Sequence, residues 1–255
     1  MDTIMTVGLV QMAATKENFA LNLQCHLDMI AKASAFQTDV IVFPELSLTG
    51  YELELAAEMA ISPEAVNFRE LSHAAVSHHV IVVAGCPLRA QEGMKPTIGA
   101  VICFPDGRVE FYSKQYLHAG EAELFSAGAT DYLLEVKGYR MALAVCADFA
   151  EPEHGRRARL SGADIYIVSA LISESGFPSD ACILSEIAHN NEFTVMLSNH
   201  VSMTGGWKTC GKNSVWNSRG EHVFCSSSQD SGLVLCTLAS HSIEARFHED
   251  IFVMP

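Results

Sequence analysis

Short apolar runs alternate with longer amphipathic stretches along much of this chain. Residues 40–43 and 80–84 are entirely apolar, as is typical of strands buried on both faces of a sheet. Between Lys16 and Gln37 the apolar residues instead recur at helical spacing, which predicts a helix with one buried face. The pattern therefore predicts alternating strands and helices, with the strands inside.

Turn residues divide several other strand-like runs into pairs. Each of three turns predicts a hairpin: Pro105-Asp106-Gly107, Lys137-Gly138-Tyr139 and Ser218-Arg219-Gly220-Glu221. We expect further helices over residues 63–79, 152–161 and 179–191, and a last strand over residues 233–238. Because hairpins are mixed with strand–helix alternation, we predict an α/β fold of mixed sheets with helices on the outside.

Composition excludes several classes of protein. The 255 residues carry a net charge of -14, which would repel a phosphate backbone, so we predict no nucleic-acid partner. The apolar runs are far shorter than the ~20 residues of a spanning helix, so we predict no membrane partner. The N-terminus lacks the pattern of a signal peptide, which favours a cytoplasmic protein. With no linker or repeat in the sequence, we predict one domain over residues 1–255.

Cysteine and histidine spacing points away from metals and disulfides. The eight cysteines form no CxxC pair, so we expect reduced thiols, most of them buried. The eleven histidines lack the close spacing of metal ligands, and the glycines near residue 206 do not form a phosphate loop. We therefore predict no metal and no cofactor.

Three segments each place a reactive residue just after a buried strand or a hairpin. Glu45 follows residues 40–43 and has apolar neighbours, so desolvation should raise its pKa toward that of a general base. Lys114 ends the first hairpin, and Cys146 ends the strand over residues 140–145. Taken singly, each residue has an ordinary interpretation: a surface glutamate, a solvated lysine and a buried structural cysteine.

Together the three residues form a complete set for acyl transfer. The thiol would be the nucleophile, with its pKa lowered by the nearby ammonium. The carboxylate would carry its proton, and the ammonium would stabilise an oxyanion together with backbone N–H groups after Cys146. A dyad of Cys146 with a distant histidine is not excluded by spacing, but it leaves Glu45 and Lys114 without a role.

Four segments carry a resemblance to a known family. In chain order they are Phe43-Pro44-Glu45 with Thr49-Gly50-Tyr51, Tyr112–Leu117 with Gly120-Glu121, Val145–Asp148 with Pro152-Glu153, and Ser198-Asn199 with Gly205-Gly206, Gly211 and Ser214. Their order and spacing resemble the nitrilase superfamily of carbon–nitrogen hydrolases, over roughly Val7 to Phe224.

The resemblance implies a fold and a set of roles. The fold would be a four-layer αββα sandwich that pairs into a homodimer or a higher homo-oligomer. Glu45 would be the general base, Lys114 the oxyanion stabiliser and Cys146 the nucleophile. Glu121 would help to position the substrate, and the backbone N–H of Ala147 would complete the oxyanion hole.

Two departures from the family pattern bear on the substrate. Ala147-Asp148 stands where nitrilases have Trp-Glu, which favours amides over nitriles, and Ala150 stands where many amidases have a basic residue. The resemblance thus implies an amidase-like hydrolase of a small linear amide or N-carbamoyl compound, which acts through a cysteine thioester and releases ammonia or an amine. An acyl-transferring or amide-condensing enzyme and a catalytically idle scaffold protein remain the alternatives.

Overall fold

A computed structural model describes residues 4–239 and 242–249. In chain order the main elements are β1 (Met5–Gln11), α1 (Phe19–Ser34), β2 (Val40–Val42), α2 (Ala56–Met59), α3 (Arg69–His78), β3 (Ile81–Leu88), β4 (Thr97–Cys103), β5 (Val109–Ser113), β6 (Leu133–Val136), β7 (Tyr139–Val145), α4 (Pro152–Leu160), β8 (Ile165–Ala170), α5 (Phe177–Asn191), β9 (Thr194–Asn199), β10 (Val201–Thr204), β11 (Trp207–Cys210), β12 (Ser214–Trp216), β13 (His222–Cys225), β14 (Gly232–Ala239) and β15 (Ser242–Glu249). Short 3-10 helices occupy Leu53–Leu55, Ala65–Phe68, Glu121–Glu123 and Cys146–Ala150.

The strands form two mixed sheets and one separate hairpin. The first sheet has the order β15-β14-β1-β2-β3-β4-β5, and the second has the order β13-β12-β9-β8-β7-β6. In each sheet three neighbouring strands are parallel, β1-β2-β3 in the first and β7-β8-β9 in the second, while the flanking pairs are antiparallel. The parallel strands place their carboxyl ends at one edge of each sheet, where the functional sites of α/β proteins usually lie.

Side-chain alternation along the strands separates three apolar layers. Val7 and Val42 of the first sheet belong to the same buried cluster as Val145 and Ile167 of the second, so the two sheets pack face to face. On the other face of the first sheet, strand residues pack against α1 and α3. On the other face of the second sheet, strand residues pack against α4 and α5. This is the αββα sandwich that the resemblance implied, and the fold prediction is confirmed.

Several element boundaries differ from the sequence-based expectation. The helix expected over residues 63–79 begins only at Arg69, because residues 63–67 are exposed and Phe68 is the first residue of this segment to pack into the core. The strand expected to be the last is followed by β15, a half-exposed edge strand with little apolar signal. The segment interpreted only as a glycine-rich motif forms the β10-β11 hairpin, whose turn glycines Gly205 and Gly206 have positive φ angles.

Among the described residues, no helix is long and apolar enough to cross a membrane.

Candidate active site

Glu45 lies in a tight turn directly after β2. Its side chain is fully buried, so the interpretation as a surface glutamate is wrong. The turn contacts β3 so closely that a Cβ atom on Gly85 would lie 2.4 Å from backbone atoms of both Pro44 and Leu46. On another side, Nε2 of the buried His200 donates a hydrogen bond of 2.6 Å to the backbone carbonyl of Glu45. The backbone of Glu45 is therefore held from two elements before its carboxylate meets any partner.

Lys114 follows β5 and is also fully buried, so it is not a solvated surface lysine. Its Nζ donates to Oε1 of Glu45 at 2.7 Å and to Oε1 of Glu121 at 2.8 Å. Glu121 accepts two further hydrogen bonds, from the Tyr51 hydroxyl on Oε1 and from the backbone N–H of His118 on Oε2. The structure thus brings Glu45, Lys114 and Glu121 together in one buried ion-pair network.

Cys146 is the first residue of the 3-10 helix that directly follows β7. Its φ angle of 43° is in the left-handed region, which is uncommon for a residue with a side chain and is often found at functional sites. The Sγ atom lies 3.7 Å from the carbonyl oxygen of Leu171, at the end of β8. Because Ala147 is in the first turn of the 3-10 helix, its N–H has no partner from a preceding helical turn.

Burial and the ion pairs set the protonation of these groups. Burial raises the pKa of Glu45 to about 7, against the opposing effect of the Lys114 ammonium. Burial alone would lower the pKa of Lys114, but Glu45, Cys146 and Glu121 outweigh it and raise that pKa, so the side chain is an ammonium. Burial, and next the Glu45 carboxylate, raise the pKa of Cys146. The surroundings of Cys146 therefore favour its thiol form, contrary to the lowered pKa expected from the sequence.

The carboxylate of Glu45 has one occupied and one open oxygen. Oε1 accepts from Lys114, whereas Oε2 is buried and has no hydrogen-bond partner among the described residues. A buried carboxylate oxygen without a partner is costly unless a ligand or a reacting group satisfies it.

Glu45 and Cys146 face the same cavity of about 360 Å³. This volume is within the range of small-molecule sites. The cavity is lined by Glu45, Tyr51, His118, Cys146, Ala147, Phe149, Ala150, Leu171, Ile172, Ser173, Ser175, Gly176, Asp180 and Trp207. Asn199 fixes part of this wall, since its side chain bonds both the N–H and the carbonyl of Ile172.

Asp148 joins the lysine turn to the cysteine turn, a role that the sequence argument did not assign. Its buried carboxylate accepts hydrogen bonds from the N–H groups of Gln115 and Tyr116 on Oδ1, and from Val145 N–H and the Tyr112 hydroxyl on Oδ2. The available signal was an acidic residue two positions after a cysteine at the end of an apolar strand. Tyr51 belongs to the first of the four motifs and His200 is one of the eleven histidines, but the sequence alone assigns a role to neither residue.

In the part of the chain that the structure describes, no group of three or more His, Cys, Asp or Glu side chains could hold a metal ion.

Comparison with known proteins identifies the family. The model of the carbon–nitrogen hydrolase family matches residues 6–246. The chain belongs to this family. As a member of the nitrilase superfamily with amidase relatives, it is a hydrolase of carbon–nitrogen bonds other than peptide bonds.

The carbon–nitrogen hydrolase is similar to several curated proteins and solved structures. It is 27% identical to the "Hydrolase in pqqF 5'region" of Pseudomonas protegens, in an alignment that covers 92% of this chain and 82% of that protein. It is 28% identical to an (R)-stereoselective amidase of Pseudomonas sp., over 76% of this chain and 70% of the amidase. A structure of the amidase from Nesterenkonia sp. AN1 has a TM-score of 0.83 at 24% identity and covers 92% of this chain and 90% of its own, which shows a shared fold.

Proposed function

We propose that this carbon–nitrogen hydrolase cleaves small linear amides or N-carbamoyl compounds through a thioester on Cys146. The observation that carries the proposal is the buried Glu45 carboxylate. One of its oxygens is paired with the Lys114 ammonium, and the other is open beside the cavity that Cys146 lines. This arrangement supplies a nucleophile, a proton acceptor and a fixed positive charge within one site.

The first step forms the thioester. As Sγ of Cys146 attacks the amide carbonyl carbon, the thiol proton passes to Oε2 of Glu45, so a resting thiolate is not needed. Lys114 Nζ and the N–H of Ala147 stabilise the negative charge on the carbonyl oxygen. Glu45 then gives its proton to the amide nitrogen, the carbon–nitrogen bond breaks, and ammonia or an amine leaves.

The second step releases the acid. Glu45, again ionised, takes a proton from a water molecule whose oxygen attacks the thioester carbonyl. The carbon–sulfur bond breaks, Sγ recovers a proton from Glu45, and the carboxylic acid departs. A pKa of about 7 lets Glu45 accept and return a proton near neutral pH. We propose that Glu121 holds Lys114 and, through Tyr51, one wall of the cavity.

Two relatives support an amide as the substrate. One is named an (R)-stereoselective amidase. Mutants of the Nesterenkonia amidase were solved with butyramide, and with the acetamide moiety of fluoroacetamide covalently added at the active site cysteine. Small aliphatic amides are therefore the first compounds to test.

The test is ammonia release from a panel of aliphatic amides, N-carbamoyl compounds and nitriles. We expect Cys146→Ala to lower kcat/KM for the preferred amide at least about a thousandfold. Cys225→Ala, at an exposed cysteine on β13, is the matched control and should stay within about twofold of the parent protein. Hydrolysis retained by Cys146→Ala would refute the thioester mechanism.

Product analysis separates the alternatives. An acyl-transferring enzyme would convert the amide to a new amide when an amine is added, whereas a hydrolase yields the free acid. An idle scaffold would give no adduct on Cys146 with fluoroacetamide in intact-mass and peptide analysis. A homodimer or higher homo-oligomer, which the resemblance implies, and a cytoplasmic location are part of the proposal, and sedimentation velocity tests the first.

A further inference from the structure

The cavity beside Cys146 has an unbalanced set of charges. Two carboxylates line it, those of Glu45 and Asp180, but no lysine or arginine is among its described lining residues. Lys114 is fully buried beside Glu45, and its ammonium is already paired with two glutamates, so it adds no free positive charge to the rest of the lining. Ala150 lines the cavity at the position where a basic residue would have placed a positive charge.

Asp180 lies in the first turn of α5, and its carboxylate takes part in no direct hydrogen bond or ion pair among residues 4–239 and 242–249. His118 also lines the cavity and interacts with Asp180 electrostatically, but the two side chains form no ion pair. An acidic residue in a first helical turn favours the helix, yet that role does not require the side chain to line the catalytic cavity.

Trp207 is the second feature of the cavity lining that bears on charge. It begins β11 and lines the cavity while 47% of it stays exposed. An indole face attracts ammonium and guanidinium groups more strongly than other aromatic rings do. A carboxylate and an open indole on the walls of one cavity form a cation-binding combination.

We propose that the cavity selects linear amides whose far end carries a positive charge, a primary ammonium or a guanidinium, with Asp180 as the counter-ion and Trp207 as the aromatic wall. The inference rests on the proposed function, since the same compound places its amide at Cys146. The cavity volume is about 360 Å³. If each heavy atom takes ~30 Å³, the volume of a water molecule in the liquid, the cavity has room for about a dozen heavy atoms. The preferred substrate is therefore a short amide with one cationic end.

The experiment compares three amides of similar length: valeramide, its ω-amino derivative and the monoamide of glutaric acid. At pH 8, where a primary amine on the substrate is protonated, we expect kcat/KM to be about tenfold higher for the ω-amino amide than for valeramide, and lowest for the monoamide. The advantage should shrink as salt is added, because the pair is partly exposed.

Variants assign the preference to its residues. In Asp180→Asn the ratio of kcat/KM for the ω-amino amide to that for valeramide should fall to about one, and in Ala150→Arg the ratio for the glutaric monoamide should rise. Trp207→Leu should lower the cation ratio severalfold, and Trp207→Phe should lower it less. Asp106→Asn, in the β4-β5 turn, removes the same charge away from the cavity and should leave the ratio unchanged.

Binding to the Cys146→Ala protein, measured by calorimetry, separates this inference from the proposed function. Tighter binding of the ω-amino amide than of valeramide, lost on adding Asp180→Asn, supports the inference whether or not any amide is hydrolysed. Hydrolysis of all three amides with equal kcat/KM and equal binding overturns the inference and leaves the proposed function standing. Failure to release ammonia from any amide, with the binding preference intact, overturns only the proposed function.

Discussion

Replacing Asp148 with Asn is expected to loosen the turn that carries Cys146, although none of Glu45, Lys114 and Cys146 is itself substituted. Both oxygens of the Asp148 carboxylate accept from two donors, so an amide group cannot replace it without loss. The better orientation keeps the amide oxygen toward Gln115 and Tyr116, because the opposite one sets its NH2 group against two backbone donors. The NH2 group of the substituted side chain then faces Val145 N–H and the Tyr112 hydroxyl.

The cost follows from what each donor can do next. The Tyr112 hydroxyl can accept from the new NH2 group and turn its proton toward His154 Nε2, which lies 3.1 Å away. Val145 N–H has no such choice and stays buried without a partner. Losing a charge-assisted hydrogen bond and leaving its donor unpaired costs about 3 kcal/mol. For a chain of this size the melting temperature would fall by roughly 6 °C.

Denaturant unfolding and steady-state kinetics on the amide panel check this prediction together. Because Val145 directly precedes Cys146, we expect kcat to fall about a hundredfold, with a smaller change in KM. Tyr112→Phe is the graded control, since it removes one donor and leaves the Val145 bond intact, and it should cost only about 1 kcal/mol. Wild-type stability and kcat in Asp148→Asn would show that the carboxylate does not hold the turn.

Three further outcomes follow from the buried network. Because Glu45 must be ionised to accept the thiol proton and burial raises its pKa to about 7, kcat/KM should rise with pH through about 7; a rise centred near pH 4 would contradict the assignment. Gly85→Ala places a Cβ atom 2.4 Å from the backbone on either side of Glu45, so it should lower kcat and cost about 1–3 kcal/mol of unfolding free energy. An unchanged unfolding free energy and unchanged kcat would refute the close approach. Lys114→Met leaves the carboxylates of Glu45 and Glu121 buried without their ammonium and should cost about 3–5 kcal/mol in denaturant unfolding, so a neutral effect on stability would count against the ion pairs.

Much of the fold was readable from local patterns. The apolar runs before Glu45 and before Cys146 are β2 and β7, because uninterrupted apolar residues fit strands that are covered on both faces. The three hairpins expected at turn signals are all present. The β10-β11 hairpin and β15 escaped prediction because about half or more of their residues are exposed or half-exposed, so these strands carry little apolar signal.

The candidate reactive residues could also be proposed from the sequence, since each follows a strand and all three lie within motifs that resemble those of the family. Their contact was not, because residues 45, 114 and 146 come from two different sheets. Hydroxyl groups hold those sheets together at the site: Ser169 Oγ donates to the Phe43 carbonyl, and the Ser198 hydroxyl lies within hydrogen-bond distance of the Val10 and Val42 carbonyls. Such long-range hydrogen bonds leave no periodic trace along the chain.

The sequence by itself determined which side chains are available for the chemistry, and at which strand ends they lie, because strand formation and family motifs are local properties. Only the tertiary structure decided how those groups are charged. Burial raises the pKa of Glu45 to about 7 and favours the thiol form of Cys146, the reverse of what a neighbouring ammonium alone would do to a cysteine. The cavity with Asp180 and Trp207 likewise exists only after folding, since desolvation and the convergence of distant loops depend on the whole molecule.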